Sequence, residues 1–299
     1  MSLYENISSN KRKSILLIIL FFIIVASLGY ILGFYIGAPV TGLLIAFIFS
    51  AVMVLISYYS GDELILKMSH AVPSDKKTYP HLVNTVEGLA IAAGIQTPKI
   101  YIINDSAINA FATGRNPNHA SVTVTTGAIE RLKRDELEGV IAHELAHIRN
   151  YDIRMMMLVA VLVGIIALLS DLFLRTMIYG RRDKQIRGTG RPFGAILFLV
   201  GFILALLAPL IAQLIKFAVS RQREFLADAD GALLSRNPQG LANALKKIRD
   251  DKEPLVEAAN KATAHLFIEN PLRTFKGRIN SLFSTHPEID ERIKRLQGL

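Results

Sequence analysis

The sequence contains no cysteine. A disulfide framework and a thiolate metal site are both excluded, so any metal this chain binds must be held by His, Asp or Glu. Charge is missing over long stretches as well. The runs Ser14–Phe34 and Ala38–Tyr58 carry none, and neither does Phe193–Ile215, which contains Pro209. A further run, Met155–Leu174, carries Asp171 alone. No small-residue cleavage site precedes the second run, and the first is too long for the apolar core of a signal peptide. The first run therefore reads as a retained membrane helix. No aromatic-basic RNA-binding pattern, internal repeat or low-complexity tract is visible. Nucleic acid is set aside as a partner, and the net charge of +9 is assigned to anionic lipid and to fixing topology.

What is present divides cleanly. The 299 residues are 51% hydrophobic although 20% are charged, because the apolar residues are gathered into the four blocks just named. Each block reaches the ~20 residues that span a bilayer as a helix. Residues 1–60 read as an N-terminal arm and a membrane hairpin. Lys11, Arg12 and Lys13 keep the arm in the cytoplasm, and Tyr35–Gly37 is the only loop between the two helices. Residues 61–154 read as soluble, 155–219 as an inserted membrane hairpin, and 220–299 as soluble again.

Within 61–154 the apolar spacing predicts a helix from Pro80 that ends at Gly94. Strands are predicted over Pro98–Ile103, Ile108–Gly114 and Ala120–Ile129, with a turn at Gly114–His119. "RDELEGVIAHELAHIRNYD" has good helix formers and no break, so it predicts a helix. In the last segment, Asn237 is placed as an N-cap with Pro238 just inside, and "STHPEIDERIKRL" is expected to start a helix in the same way.

The helix in "IAHELAHIRN" carries the chemistry. Residues four apart share a helix face, so His143 and His147 can present two imidazoles to one ion. Glu144 lies about 100° round the helix, where it can reach a metal-bound water more easily than the metal. A catalytic zinc needs three protein ligands and an open position, so a third ligand is required from elsewhere. "SRQREFLADADG" offers one. Glu224 would complete a His–His–Glu set, and Asp228, one turn on, could accept the free ring N–H of a liganding histidine and fix its tautomer. The third and fourth blocks lie between His147 and Glu224. An even number of crossings returns the chain to the side it left, so both metal-bearing helices can meet on one face. The loop between those blocks cuts against this topology. Arg181, Arg182, Lys184, Arg187 and Arg191 face one acid, Asp183, on the side where positive-inside disfavours them. Either the earlier helices override the bias or the blocks dip in without crossing. Apolar length favours crossing.

With these motifs in view, the chain resembles the HtpX proteases of bacterial membranes, relatives of the CAAX prenyl endopeptidases. The resemblance covers the N-terminal hydrophobic hairpin, "HELAH", the inserted hydrophobic pair, "REFLADAD" and "THPEIDERI". It implies a mainly α membrane protein with a small β-sheet. Four transmembrane helices would carry a cytoplasmic gluzincin-type zinc protease domain built from two sequence segments. It implies one Zn2+ per chain on His143, His147 and Glu224, with Glu144 catalytic. "NAFATG" resembles the family's active-site edge strand, where Asn109 would hold the substrate backbone, and His286 resembles a histidine near the scissile carbonyl, with Arg292 a few residues on. The implied location is the bacterial inner membrane, with the site facing the cytoplasm. The implied substrates are misfolded or damaged membrane proteins or unfolded polypeptides. Two other readings are weighed. A channel or transporter is disfavoured because the first two runs lack ionisable residues, leaving Asp171 and Arg175 as the only pathway-like pair. An inactive zinc-binding scaffold has no use for Glu144. His70, His81, His119 and His265 match no motif and read as surface or packing residues.

Overall fold

The structure, a computed structural model, describes residues 3–162, 164, 221–251, 263–268 and 287–299. Most of the third hydrophobic block with Asp171 and Arg175, the basic loop, the fourth block and His286 lie outside these residues. The described chain is mostly helical, with one small mixed sheet.

Helix α1 (Leu3–Ile36) and helix α2 (Pro39–Met68) form the expected hairpin. Their apolar stretches, Ile7–Ile31 and Pro39–Met68, run 25 and 30 residues, or about 38 and 45 Å at 1.5 Å per residue. Only 17% and 11% of their most apolar windows is buried. The core helix of a soluble protein would be covered instead, so these faces are suited to lipid. Gly37 makes the turn with φ 84°. Small residues let the two backbones touch: a Cβ on Gly29 would meet the Gly42 carbonyl and Ala46. Such contacts drive helix association where lipid removes any hydrophobic gain.

Two expectations shift here. The N-terminal arm is not a separate polar tail, because α1 is already helical from Leu3. Nor does α2 stop at Gly61, where the soluble segment was expected to begin. It continues to Met68, and Ile65 and Leu66 pack against Phe111, Met156, Met157 and Phe267. Residues 152–162, the start of the third block, are helical and lie against the hairpin through Met155, Leu158, Val159 and Leu162 on Leu17, Phe21 and Val54.

After strand β1 (Val72–Pro73), helix α3 (Pro80–Ala93) ends as expected at Gly94, in the left-handed conformation. Strands β2 (Lys99–Ile103), β3 (Ala110–Asn116) and β4 (His119–Thr125) follow, and the sheet order is β1-β2-β4-β3. β2 and β4 are parallel and β3 and β4 antiparallel, which leaves β3 at the sheet edge. The strand expected over Ala120–Ile129 stops at Thr125. Its side chain caps a short helix, α4 (Thr126–Arg131), by accepting from Ala128 N at 3.2 Å. The local capping bond wins over β propensity there.

Helix α5 (Arg134–Arg149) lies under the sheet, its start secured by Glu136, which accepts from Lys133 N at 2.6 Å. Helices α6 (Arg221–Ser235), α7 (Pro238–Asp250) and α8 (Ile289–Gln297) close the domain. Asn237 caps α7 through Gly240 N, with Pro238 at its first turn. α8 starts differently from expectation. Its N-cap is Glu288, without a side-chain bond, and Pro287 stays outside the helix. One core joins α3, the sheet, α5, α7 and α8 through residues such as Val86, Val122, Ile141, Leu145, Leu245 and Ile293.

Candidate active site

The site is made where α6 crosses α5. Gly231 of α6 sits on the α5 backbone, where a Cβ would fall 2.9 Å from His143 N and 3.0 Å from its Cα. That close crossing brings Glu224, two turns earlier on α6, onto the face of α5 that carries both histidines. His143 Nε2 and His147 Nε2 are 3.2 Å apart. Glu224 Oε2 lies 3.8 Å from the first and Glu224 Oε1 3.6 Å from the second. All three residues, and Glu144 beside them, are buried.

Each imidazole turns its other nitrogen to a carboxylate. His143 Nδ1 faces Asp228 Oδ1 at 3.0 Å and His147 Nδ1 faces Asp152 Oδ2 at 3.1 Å. A proton on each Nδ1, directed at its carboxylate, leaves both Nε2 atoms with lone pairs aimed at one point. With both imidazoles neutral, two such lone pairs 3.2 Å apart repel in a dry interior, and a cation beside Glu224, or in its place a proton on His147, turns the repulsion into attraction. A tetrahedral ion with bonds of about 2.0–2.2 Å sets its ligand atoms about 3.3–3.6 Å apart, close to the spacings observed. The residues present therefore fit a metal ion.

Arg292 of α8 completes the cluster. Wholly buried, it donates from Nε to Asp228 Oδ2 at 2.9 Å and from Nη2 to Asp228 Oδ1 at 2.7 Å. Its Nη1 donates to Ile268 O at 3.1 Å, and Ile268 N in turn donates to Ala110 O at 3.0 Å, at the start of β3. The electrostatics follow from these neighbours. Burial works against an Asp228 carboxylate, but Arg292 and His143 overcome it and hold its pKa below the usual value. Burial pushes His143 down, with Arg292 adding to the effect and Asp228 opposing it. Burial also opposes a charged His147, yet Asp152, Glu224 and Glu144 together raise it to about 9 in the metal-free protein.

The structure brings His143, Glu144, His147 and Glu224 together, and places Asp228 Oδ1 3.0 Å from His143 Nδ1. Asn109 immediately precedes the edge strand β3, which packs against α5. Its backbone is bound to Thr125: Asn109 N donates to Thr125 Oγ1 at 3.0 Å, and Thr125 N donates to Asn109 O at 3.1 Å. His70, His81 and His119 are exposed and His265 is buried, its Nε2 donating to Met156 O at 3.1 Å, as expected of surface and packing residues. Sequence reasoning missed Asp152. It follows His147 by five residues, past the helix end and a left-handed Tyr151 with φ 61°, so no helical period points to it. Arg292 was noted only for its closeness to His286, and its pairing with Asp228 carried no sequence signal.

A buried two-histidine, one-carboxylate cluster that could hold a metal ion, in a chain with two lipid-suited helices, is the kind of site a membrane metalloprotease carries. The sequence model described as Peptidase family M48 matches residues 76–299, and the chain belongs to that family. A "Protease HtpX homolog" from Caldanaerobacter subterraneus subsp. tengcongensis is 46% identical over 298 residues, covering 100% of this chain and 98% of that protein. One of the same name from Listeria monocytogenes serotype 4a is 41% identical over 305 residues, covering 99% of this chain and all of that protein. The crystal structure of S. mikatae Ste24p shares the fold, with a TM-score of 0.50 at 20% identity. It covers 91% of this chain, which spans 62% of the length of that one.

Proposed function

We propose that the chain is a zinc-dependent endopeptidase of the bacterial inner membrane, cutting misfolded or damaged membrane proteins at the cytoplasmic face. The observation that carries this reading is the convergence of His143 Nε2, His147 Nε2 and Glu224 within 3.2–3.8 Å. An N,N,O donor set without thiolate suits zinc in its catalytic, three-ligand form, as in gluzincins. His143, His147 and Glu224 would hold one ion per chain.

Held there, zinc would supply Lewis-acid chemistry, polarising the scissile carbonyl and lowering the pKa of an attacking water. Glu144 would act as the general base for the attacking water and as the general acid for the leaving amine. Asp228 and Asp152 keep the two imidazoles in one tautomer each. An extended substrate adds to the edge of β3 by backbone hydrogen bonds, and Asn109 at its start aligns the peptide. His286 would stand near the scissile carbonyl as an added donor.

The topology we propose has four membrane helices, with residues 155–219 as an inserted hairpin between the two protease segments 61–154 and 220–299. The polar start of α1, with Lys11, Arg12 and Lys13, supports a cytoplasmic site. Helices that tether the site beside the bilayer raise the effective concentration of embedded substrates, which supports membrane proteins as the substrate class.

The test is cleavage of a misfolded membrane protein by the purified, zinc-loaded chain beside Glu144→Gln at equal zinc content. Cleavage by the first and none by the second is the expected result. Full zinc with no cleavage by either would favour an inactive zinc-binding scaffold.

A further inference from the structure

The carboxylate that orients His147 is itself oriented from the first apolar helix. Asn10 lies on α1, one turn before the uncharged run begins at Ser14, and is buried. Its Nδ2 donates to Asp152 Oδ1 at 2.7 Å and to Asn150 O at 2.9 Å. Both amide hydrogens are thus spent on the turn that follows α5, more than a hundred residues away in sequence. Asp152 then has one oxygen engaged by Asn10 and the other, Oδ2, 3.1 Å from His147 Nδ1. A competitor is present: Arg223 Nε stands 3.6 Å from Asp152 Oδ1. Without the Asn10 amide, the carboxylate is free to rotate toward that guanidinium and away from the imidazole.

The junction is reinforced next door. Lys11 Nζ lies 4.4 Å from the Tyr151 ring centroid and Arg154 packs on the same ring at 5.1 Å, pinning the left-handed residue between Asn150 and Asp152. An asparagine inside a helix and out of water is costly unless both of its hydrogens are used. Here both are used, one on the carboxylate that faces His147 and the other on the Asn150 carbonyl beside it.

We propose that Asn10 is a positioning residue for the metal site, acting through Asp152 on His147, so that the first membrane helix is a working part of the metal centre as well as an anchor. The inference rests on the metal-site reading above. Removing a partner that orients a ligand typically costs 10–100-fold in metal affinity. Asn10 acts one bond further out, so Asn10→Ala is expected to weaken zinc binding about 10-fold.

The experiment is zinc affinity by chelator competition on the full-length chain in detergent, with the visible spectrum of the Co2+-loaded chain as a second readout. Three variants accompany wild type: Asn10→Ala, Asp152→Asn and the double. Leu17→Ala is the control, because Leu17 packs α1 on the apolar face of residues 152–162, in a cluster with Met155, Leu158, Val159 and Leu162. The expected result is about 10-fold weaker zinc binding and a shifted Co2+ spectrum for Asn10→Ala, with no further loss when it is added to Asp152→Asn. Leu17→Ala should stay within about twofold of wild type. If Asn10→Ala does not fold, Asn10→Gln, which keeps the amide but misplaces it, is read in the same way. Affinity and spectrum unchanged in the Asn10 variant, or an equal loss in Leu17→Ala, overturns the proposal and leaves the metal site standing. Failure of wild type to bind zinc or Co2+ overturns the metal-site reading itself.

Discussion

Gly231 rests directly on the backbone of His143, so close that a single methyl group would fall 2.9 Å from the histidine amide nitrogen. The contact sets how far α6 stands from α5, and with it the distance from Glu224 to both imidazoles.

Gly231→Ala should therefore damage the site without removing any ligand. The added Cβ meets backbone, which cannot swing aside, so the helices must part. We expect zinc affinity to fall by at least about 10-fold, as for loss of a ligand's support, together with a lower melting temperature. Gly88→Ala on α3 is the contrast: a Cβ there meets nothing within 4 Å. A helix-interior Ala should stabilise by about 0.5–1 kcal/mol and leave affinity unchanged. Chelator competition and thermal melting of the two variants decide the matter.

Arg292→Met should be severely destabilising. It leaves the buried Asp228 carboxylate without its two charged hydrogen bonds and Ile268 O without a donor. Breaking a buried pair from one side costs about 3–5 kcal/mol. Chemical denaturation of the metal-free protein measures it, and a loss below about 1 kcal/mol, typical of a surface pair, would contradict the role given to Arg292.

Metal binding should release close to one proton per chain at pH 6.5. His147, raised to about 9, carries a proton there in the metal-free fold, whereas His143 is shifted down. A histidine whose folded pKa exceeds its unfolded value of about 6.5 stabilises the metal-free fold below that pH. It loses this contribution as pH rises through about 9. Calorimetry of zinc binding in buffers of differing ionisation enthalpy reads the proton number. Asp152→Asn removes the main partner that raises His147, and should bring the release well below one.

Thr125→Val should separate substrate alignment from metal binding. The Thr125 hydroxyl donates to Ala107 O at 2.6 Å and accepts from Asn109 N at 3.0 Å and from Ala128 N at 3.2 Å. Its loss unpairs the turn that presents Asn109 at the edge of β3, at a cost of about 1–3 kcal/mol. We expect a raised KM with zinc affinity unchanged, read by peptide cleavage kinetics and chelator competition. Unchanged KM would argue against Asn109 as a substrate-aligning residue.

Much of this was legible because helical and strand periods report local geometry. His143 and His147 share a face four residues apart, and Asp228 repeats the spacing from Glu224. The short β4 was overextended because Thr125 and Thr126 suit a strand by propensity. Only the bond from Thr125 to Ala128 N, which depends on the chain turning there, shows the helix. The apolar run ends at Tyr58, but the helix does not: Ile65 and Leu66 carry α2 on into the protease core.

By itself the sequence offered the candidate donor set and the chemistry it suits. With no cysteine, two histidines one turn apart, a neighbouring glutamate and a second acidic helix, few other metal sites were available. It also marked Ser14–Phe34 and Ala38–Tyr58 as segments suited to lipid, since that follows from their uncharged length. Only the tertiary structure decided what orients the donors. Asp152 lies beyond a left-handed turn, Arg292 comes from the last helix and Asn10 from the first. Their contacts depend on how helices cross and where turns point, and neither leaves a period along the chain.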